Sequence, residues 1–474
     1  MQAAVSHLSP FSGSWYPGDS SELDQLLDSL FENSERRTGP YLAPNAAGFV
    51  VPHAGLIYSG TVAAAAYRHM RASPPQRVVL LGFAHRGAAP GAWIPEIDAY
   101  RTPLGEIAVD RETTRALLDG GEFGSQPEEV LCDHSIEIQL PLLQRAAPGA
   151  RVVPVYVGSL DAQARVAAAR RLATLIRPGT VLLASSDLTH YGRSFGYQPF
   201  PVNDWVAERL RDLDDSVIQA ASSLSPDLFF ATLKSTGSTV CGYDPVALLL
   251  ETMRPLEPDE IFQETLDYQT SGDITGDFQH SVSYGALGYF PARSFHLEPE
   301  DQALLMASAR KTLAHYLNTG ERKPIPPERI TPALERRAGV FVTLHSKGDL
   351  RGCVGRRASP DPLWQTVPVL TLSAALEDSR FRPVKKGDEG LELEISVLSP
   401  FKRLADLDGF RVNRHGALLE AGRSHGLLLP QMATERNWTA PQFLDALAHK
   451  TGVSRDVYRN PSTHVYVFRA QIIP

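Results

Sequence analysis

Short apolar runs alternate with longer amphipathic segments over most of the first three hundred residues. Four of the apolar runs, AGFVVPHAG, QRVVLLGFAH, ARVVPVYVGS and GTVLLASSDLTH, carry near-continuous β-branched or leucine stretches. Such runs are typical of strands that are buried on both faces, as in a parallel sheet enclosed by helices. Between them lie segments with helical periodicity, including DAQARVAAARRLATLI. The segment DQLLDSL places four leucines on one stripe, Leu23, Leu26, Leu27 and Leu30. The pattern predicts a mostly parallel, three-layer α/β domain.

The pattern changes near residue 293. The polar stretch RSFHLEPEDQ leads into a predicted helix that begins near Pro299 and ends at Gly320. Beyond it, GVFVTL, LELEISVL and HVYVFRAQII alternate with period 2, which is typical of half-exposed antiparallel strands, and SKGD before LRGCVG is a hairpin-turn signal. We therefore expect an α/β domain at residues 1–292, a linker at 293–300 and an α+β domain at 301–474.

Composition excludes several classes of protein. The chain of 474 residues has a net charge of −8 and no block of lysine or arginine, so the basic surface expected of a nucleic-acid-binding protein is missing. Three cysteines without a Cys-x-x-Cys pair argue against a disulfide framework and favour a reducing cytoplasm. No apolar run approaches the roughly 18–20 residues that span a bilayer. We expect a soluble cytoplasmic protein with no nucleic-acid or membrane partner.

Reactive side chains follow three of the predicted parallel strands. His53 follows the first strand, His85 follows the second, and Asp187 with His190 follows the strand in GTVLLASSDLTH. Ligands of open α/β sheets bind outside the carboxyl ends of the strands, so these groups are expected to converge if the strands are adjacent. Each residue taken alone is more often a structural hydrogen-bonding group. Their coincidence at equivalent positions favours a shared pocket.

Two further motifs add candidates to this pocket. In STVCGYDP, Asp244 and Pro245 are expected to cap and begin a helix. This would place Cys241 at a helix N-terminus, where the pKa of a thiol is lowered. In DHSIEIQLP, a helix would put His134 and Glu137 on one face. The alternatives are a small packed cysteine, a hydrogen-bonded histidine and a solvated glutamate.

His53, His85 and Cys241 are predicted to bind a transition metal. Imidazole and thiolate suit iron or copper, with zinc possible, and are poor ligands for magnesium or calcium. An open coordination position would admit a substrate, dioxygen or water. The predicted acid–base or orienting groups are Asp187, His190 and His134.

A second constellation, DLRGCVGRR, lies in the C-terminal domain. Gly352 and Gly355 bracket Cys353 and would keep its backbone approachable, while Arg351 is a nearby cation that could lower the pKa of the thiol. Arg380 in AALEDSRFRPV is a further candidate. Cys353 is thus a candidate catalytic residue. The alternative is a strand bulge that holds a packed cysteine.

At these motifs the chain resembles two known families. SGSWYP, VPHAG, DHSIEIQLP, SSDLTHYG, STVCGYDP and SVSYGALGYF occur in this order over about residues 5–290 and resemble the Memo family, called protein B of the AmmeMemoRadiSam system. LRGCVG and its flanking stretches, over about residues 298–474, resemble the AMMECR family, protein A of the same system. The resemblance implies a fusion of two proteins that act together, with a radical SAM protein as their partner.

The Memo resemblance also implies a fold shared with the LigB-type extradiol dioxygenases. Those enzymes bind iron with two histidines and a glutamate, whereas this sequence offers Cys241 in third place, so oxygenase chemistry does not follow from the fold. We expect a metal-dependent redox or modifying enzyme with a small-molecule or peptide substrate. The alternatives are a non-catalytic peptide- or ligand-binding adaptor that uses the same cleft, and a zinc-dependent hydrolase. The resemblance maps the metal-site positions onto His53, His85 and Cys241 and places Asp187 and His190 beside them; Trp15 and Ser186 lie in the matched motifs as further candidates.

Overall fold

The computed structural model describes residues 5–85, 89–256, 260–460 and 462–474. The chain divides into two compact units, one of Met1–Gly39 with Ala43–Ser294 and one of Pro40–Leu42 with Phe295–Pro474. Across the described residues, none of the helices combines the length and the apolar character needed to cross a membrane. We describe each unit by itself.

The first unit combines strands and helices along its whole length. Its strands are β1 (Ser6–Leu8), β2 (Gly48–Val51), β3 (Arg77–Gly82), β4 (Ala92–Pro95), β5 (Ala99–Thr102), β6 (Gly105–Ala108), β7 (Gly124–Gln126), β8 (Arg151–Val157), β9 (Thr180–Ser185), β10 (His190–Gly192), β11 (Ile261–Thr270) and β12 (His280–Pro291). Its helices are α1 (Ser20–Thr38), α2 (Leu56–Ala72), α3 (Arg111–Leu118), α4 (Glu128–Leu131), α5 (His134–Glu137), α6 (Gln139–Ala146), α7 (Ala162–Ala173), α8 (Val206–Ser222), α9 (Pro226–Thr236), α10 (Tyr243–Met253) and α11 (Ser271–Thr275).

Four parallel strands form the centre of the main sheet, in the order β2-β9-β3-β8. These strands are the four apolar runs that the sequence predicts to be buried. Antiparallel strands extend the sheet on both sides, with β12 beside β2 and β4 beside β8. Strands β10 and β11 pair with β12, and β7 pairs with β4, while β1, β5 and β6 form a small separate sheet. Because β2, β9 and β3 are adjacent and parallel, the segments that follow them leave the sheet at one edge.

Helices cover both faces of the main sheet. Phe49 of β2 packs against His69 of α2, whereas its neighbour Val50 lies in a buried cluster with Leu248 of α10. Alternate residues of a strand point to opposite faces, so α2 and α10 lie on opposite sides of the sheet. This confirms the predicted three-layer α/β architecture. On α1, three of the four predicted leucines are fully buried, Leu23, Leu27 and Leu30.

The second unit is an α+β structure with two antiparallel sheets, which confirms the predicted class. Its strands are β13 (Val340–Ser346), β14 (Asp349–Arg356), β15 (Leu391–Leu398), β16 (Lys402–Arg403), β17 (Gly416–Ala421), β18 (Ser424–Leu428), β19 (Thr463–Phe468) and β20 (Ala470–Ile473). Its helices are α12 (Pro299–Thr319), α13 (Leu363–Leu376), α14 (Gln431–Arg436) and α15 (Ala440–Thr451). The strand orders are β14-β13-β15-β20 and β16-β19-β17-β18.

The linker, the first hairpin turn and the last strands of the second unit can be compared with the predicted ones. Helix α12 begins at Pro299, so the segment 293–300 includes the first residues of a helix. The β13–β14 turn has positive φ at Lys347 and Gly348, as in the tight turns that suit hairpins. The stretch HVYVFRAQII forms two strands, β19 in one sheet and β20 in the other, with Arg469 between them.

Asp244, in the first turn of α10, carries a buried carboxyl group whose ionisation opposes folding. Burial raises its pKa from 3.8 to about 6, and the charge of Arg165 offsets this only in part. Because the pKa is higher in the native state, the resulting stabilisation is complete below about pH 4 and is lost as the pH rises through 6. We therefore expect Asp244→Asn to raise the free energy of unfolding by about 1 kcal/mol at pH 8 and to change it little at pH 4.

Urea unfolding at the two pH values measures this difference. Asp212→Asn, at an exposed position of α8, is the matched control and should show no pH-dependent change. If Asp244→Asn were less stable than the wild type at pH 8, the attraction between the carboxylate and the helix N-terminus would outweigh its burial.

Candidate metal centre at the ends of the parallel strands

Three histidines lie together where the parallel strands end. His53 follows β2, His85 follows β3, and His134 is the first residue of α5. The ring centroid of His53 is 5.3 Å from that of His85 and 5.4 Å from that of His134, and the rings of His85 and His134 stack at 4.1 Å. One nitrogen from each ring lies within 4.8 Å of the others. His134 is predicted from the sequence to be an acid–base residue, whereas its position here suits a metal ligand.

His53 also belongs to a second group, with Asp187 and Cys241. The ligand atoms of these three residues again lie within 4.8 Å of one another. Sγ of Cys241 is 3.1 Å from Nε2 of His53, and the backbone N–H of Asp187 donates to Sγ of Cys241 at 3.3 Å. The residues predicted as ligands, His53, His85 and Cys241, therefore fall into two groups that share His53.

Hydrogen bonds fix the orientation of two of the imidazole rings. Nδ1 of His53 lies 3.0 Å from Oγ of Ser185, and Nδ1 of His85 lies 2.9 Å from Oδ1 of Asp133. Asp133 also accepts the backbone N–H groups of His85 and Ser135. In both histidines Nε2 remains for a ligand, which is how a metal-binding imidazole is usually held. Asp133 is not among the residues predicted from the sequence, although its place directly before α5 is a recognisable N-cap signal.

The buried environment keeps two of these imidazoles neutral. Burial, assisted by the charge of His85, lowers the pKa of His53 to about 3. Burial likewise lowers the pKa of His134 to about 3. For Asp133, burial would raise the pKa, but the hydrogen bond with His85 and the neighbouring histidines bring it down to about 2. Neutral imidazoles beside an ionised carboxylate are the forms that a metal cation requires.

The environment of Cys241 differs from the one that the sequence predicts. Helix α10 begins at Tyr243 with Gly242 as its N-cap, so Asp244 and Pro245 lie inside the first turn. Burial and then the charge of Asp187 raise the pKa of the Cys241 thiol instead of lowering it. The prediction was wrong because the cost of burying a thiolate beside a carboxyl group outweighs the helix N-terminus. A bound metal cation would reverse this, since coordinating thiols are deprotonated.

Asp187 and His190 lie next to the histidines and are held by the backbone. Oδ1 of Asp187 accepts the N–H of His53 at 2.8 Å, and burial raises the pKa of Asp187. Nδ1 of His190 lies 3.1 Å from the carbonyl oxygen of Thr239 and 3.2 Å from that of Leu188. A carbonyl oxygen only accepts hydrogen bonds, so Nδ1 carries the proton and Nε2 of His190 can accept one.

Trp15 and Ser186 surround this centre in different ways. The ring of Trp15 packs 4.4 Å from the ring of His134, and Trp15 lines a cavity of about 430 Å³ together with Ile57 and Tyr58. Ser186 is buried, and its Oγ accepts the N–H of Gly242 at 3.0 Å. A side chain at Gly242 would come within 2.4 Å of a backbone oxygen, so glycine is required there. Trp15 therefore borders a cleft, whereas Ser186 positions the turn that carries Cys241.

Glu137 is not part of the candidate metal centre. It is fully buried, and its Oε1 lies 3.1 Å from Nε2 of His7. Helix α5 has only four residues, and its first and last side chains contact different clusters. The predicted common face of His134 and Glu137 therefore does not place both in one site.

In the second unit, Cys353 is enclosed by polar groups. Its backbone N–H donates to Oδ2 of Asp378 at 2.8 Å, and Arg380 both pairs with Asp378 and donates to the carbonyl oxygen of Cys353. The hydroxyl of Thr343 lies 3.4 Å from Sγ. Burial lowers the pKa of Lys450, and an electrostatic interaction with Cys353 opposes this shift. The sequence offered no signal for Lys450 because it lies on α15, far along the chain from Cys353.

The glycines beside Cys353 permit close packing. A side chain at Gly352 would come 2.1 Å from the carbonyl oxygen of Ala374, and one at Gly355 would come 2.1 Å from the ring of Phe341. The register of β13 and β14 shifts next to Gly352, so the strand has an irregularity at Arg351. Nη2 of Arg351 is 3.6 Å from Asp388. The bulge that was considered as an alternative is therefore present beside the cysteine.

Both units match known protein families. A family model described as Memo-like protein matches residues 9–288, and one described as AMMECR1 matches residues 306–473. The protein memo-1 homolog of Caenorhabditis elegans is 30% identical over 286 residues, covering 58% of this chain and 80% of the relative. A MEMO1 family protein of Thermoplasma acidophilum is 31% identical over 278 residues, covering 58% of this chain and 96% of the relative.

Two solved structures also share similarity with the chain. An uncharacterized protein from Pyrococcus horikoshii is 33% identical, covers 37% of this chain and 92% of its own, and has a TM-score of 0.36. An uncharacterized protein from Escherichia coli K12 is 16% identical, covers 52% of this chain and 99% of its own, and has a TM-score of 0.37.

Asp133 provides a test of how the histidines are held. Asp133→Asn keeps the shape of the side chain but weakens its hold on His85, so we expect the affinity for a transition metal to fall by about 10–100-fold. Titration of the metal-free protein in competition with a chelator measures this affinity. Asp161→Asn, at the N-cap of α7, is the matched control because it makes the same change at another helix start. Equal affinities of wild type and Asp133→Asn would show that Asp133 does not orient a ligand.

Proposed function

The chain belongs to the Memo-like protein family through residues 9–288, and we propose that this domain is a transition-metal-dependent redox or modifying enzyme. The main support is the position of His53, which joins a group of three imidazoles to a group with a thiol and a carboxylate. Several metal-binding side chains converge from strand ends and a helix start that are distant in sequence. Structural hydrogen bonding alone does not require such a concentration of ligands.

The donor set fits a transition metal. His53, His85 and Cys241 are the proposed ligands, and His134 is close enough to replace or join one of them. Neutral imidazole and thiolate favour iron or copper, and zinc is also compatible. Iron or copper would supply electron transfer, whereas zinc would supply only Lewis-acid chemistry. The hydrogen bonds that the rings make with Ser185 and Asp133 hold them in the orientation that such a cation needs.

Asp187 and His190 are the proposed acid–base pair. The carbonyl oxygen of Thr239 occupies Nδ1 of His190, which leaves Nε2 to take a proton from a substrate O–H or N–H group. Asp187 is buried, its pKa is raised, and a backbone N–H from His53 fixes its carboxyl group. It can therefore hold a proton or orient a polar group of the substrate. The cavity beside Trp15, with Ile57 and Tyr58, would receive the apolar part of a small molecule or peptide.

We also propose that the two domains act together and with a radical SAM protein. The family matches place a Memo-like domain and an AMMECR1 domain on one chain. These domains resemble proteins B and A of the AmmeMemoRadiSam system, and this resemblance supports the proposal that a radical SAM protein is their partner. Cys353 is the proposed reactive residue of the second domain, with Asp378 and Arg380 holding its backbone.

Two alternatives have specific support. A zinc-dependent hydrolase is favoured by the three imidazoles of His53, His85 and His134, because three histidines and a water molecule form a common catalytic zinc site. A peptide- or ligand-binding adaptor is favoured by the exposure of Ile57 and Tyr58 at the rim of the cavity, where they are 65% and 40% exposed. Metal content separates these alternatives from the favoured function.

The proposed ligands lead to a direct measurement. We expect the full-length protein, purified without oxygen, to contain about one iron or copper ion per chain. His53→Ala and His85→Ala should each lower this iron or copper content at least fivefold, because each removes a ligand. His315→Ala, on α12 of the second unit, is the control and should retain the metal. Elemental analysis together with electron paramagnetic resonance reads both the amount and the redox state.

The metal content of the wild type and of the variants distinguishes the redox enzyme, the zinc hydrolase and the adaptor from one another. Wild-type protein without iron, copper or zinc contradicts both enzymatic functions. Zinc alone, lost in His53→Ala, supports the hydrolase and contradicts redox chemistry. An adaptor predicts that His53→Ala changes the affinity for a partner while the metal content stays the same.

Cys353 allows a separate test in the second domain. Because Arg380 and Lys450 place positive charge near the thiol, we expect Cys353 to react with iodoacetamide at pH 7 about fivefold faster than an unstructured cysteine peptide. Lys450→Gln should remove most of this advantage, while Lys311→Gln on α12 should not. Peptide mass mapping resolves Cys353 from the other two cysteines. A rate no faster than that of the free peptide would rule out a reactive role.

A further inference from the structure

A second cluster of metal-binding side chains lies in the first unit. It consists of His7 on β1, Cys132 directly after α4, and Glu137 at the end of α5. One ligand atom from each residue lies within 4.8 Å of the other two. These three residues are not shared with the candidate metal centre, so the cluster is a distinct place in the fold.

The ring of His7 lies between two carboxylates. Its Nδ1 is 2.9 Å from Oε2 of Glu128, and its Nε2 is 3.1 Å from Oε1 of Glu137. The side chain of His7 is 13% exposed, that of Glu128 is 28% exposed, and that of Glu137 is fully buried. A histidine that contacts an outer carboxylate through one nitrogen and faces an inner ligand through the other has the arrangement of a metal-binding imidazole.

Glu137 has an oxygen that the protein leaves unused. Among the described residues, Oε2 of Glu137 is a buried atom without a hydrogen-bond partner. Leaving a buried carboxylate oxygen unpaired is costly, and natural proteins avoid it unless another group occupies the site. A cation next to Glu137 would supply the missing partner. This observation is independent of the proximity of the three side chains.

We propose that His7, Cys132 and Glu137 form a second metal site that binds zinc. One imidazole, one thiolate and one carboxylate are a suitable donor set for zinc, and three protein ligands leave a fourth position for water. Bonds of roughly 2.0–2.3 Å place the ligand atoms of a tetrahedral zinc roughly 3.3–3.8 Å apart. The 3.1 Å between His7 and Glu137 requires only a small expansion.

Proton balance follows from the contacts of His7. Without a metal, both ring nitrogens face carboxylates, so His7 is an imidazolium. Zinc binding replaces the Nε2 proton of His7 and the thiol proton of Cys132, and both protons pass to solvent. The Nδ1 proton stays on the ring and continues to bind Glu128.

The site would anchor the N-terminal strand to the segment that carries the candidate metal centre. Cys132 and Glu137 face the second site, while Asp133 and His134, between them in sequence, face the first. Zinc would therefore fix residues 132–137 from the side opposite to the histidine cluster. The zinc site does not depend on the proposed function, because it rests on different side chains.

Zinc titration of a variant without the first centre tests the proposal. In full-length His53→Ala/Cys241→Ser, we expect about one zinc ion to bind per chain. Adding His7→Ala should weaken this binding at least 100-fold, and adding Glu128→Gln should weaken it about 10-fold, because Glu128 only orients the ring. Adding His315→Ala is the matched control and should change nothing. Binding of less than 0.2 zinc per chain, read against the roughly one expected, overturns the proposal.

Alkylation of the wild-type protein gives a second readout that needs no variant to fold. Zinc should slow the reaction of Cys132 with a maleimide at least tenfold, since a coordinated thiolate is blocked. Cys353 serves as the internal control, and peptide mass mapping resolves all three cysteines. If zinc leaves the rate at Cys132 unchanged, the cluster is only an internal ion pair and the proposal fails. A failure of the proposed function would instead appear at Cys241 and in the iron or copper content.

Discussion

Imidazoles can be buried at the end of a sheet only when a partner holds one of their nitrogens. Ser185 holds the buried His53, and Asp133 holds the half-buried His85. This requirement shapes the carboxyl end of the main sheet, because the partners come from a neighbouring strand and from the residue that precedes α5. The same hydrogen bonds restrict the orientation of the two rings and leave Nε2 of each ring for a metal ligand bond. Burying several polar side chains in one place lowers the stability of the protein when no metal is bound. The packing of β2, β9 and β3 around the site must offset this cost.

Much of the first unit could be predicted because its central strands are covered on both faces. Burial forces a continuous apolar run, and a reactive side chain that follows such a run stands out clearly in the sequence. The positions of His53, His85 and Asp187 could be proposed for this reason. In the second unit, the period-2 runs and the Lys347-Gly348 turn predicted the antiparallel strands, but the expectation of half-exposed strands was wrong for β15 and β19, which are buried on both faces over their last four residues.

Other features depend on contacts that no local pattern records. Strands such as β1 and β7 have only three residues, too few to show a period. The thiol of Cys241 was expected to be acidic because of its helix, but its burial beside Asp187 decides the sign of the shift. The turn between α4 and α5 brings His134 into the histidine cluster, and no periodic pattern in the sequence marks this turn. The electrostatic interaction of Lys450 with Cys353 joins two residues that are almost one hundred positions apart in the sequence.

The passage of the chain from β19 to β20 has a consequence for how the second unit is made. Strand β20 pairs with β15, yet the ribosome synthesises it only after every strand of the other sheet. Until then the backbone groups along one edge of β15 have no strand to pair with. The nascent chain therefore carries an open, aggregation-prone edge while the segment between Leu398 and Ala470 is synthesised.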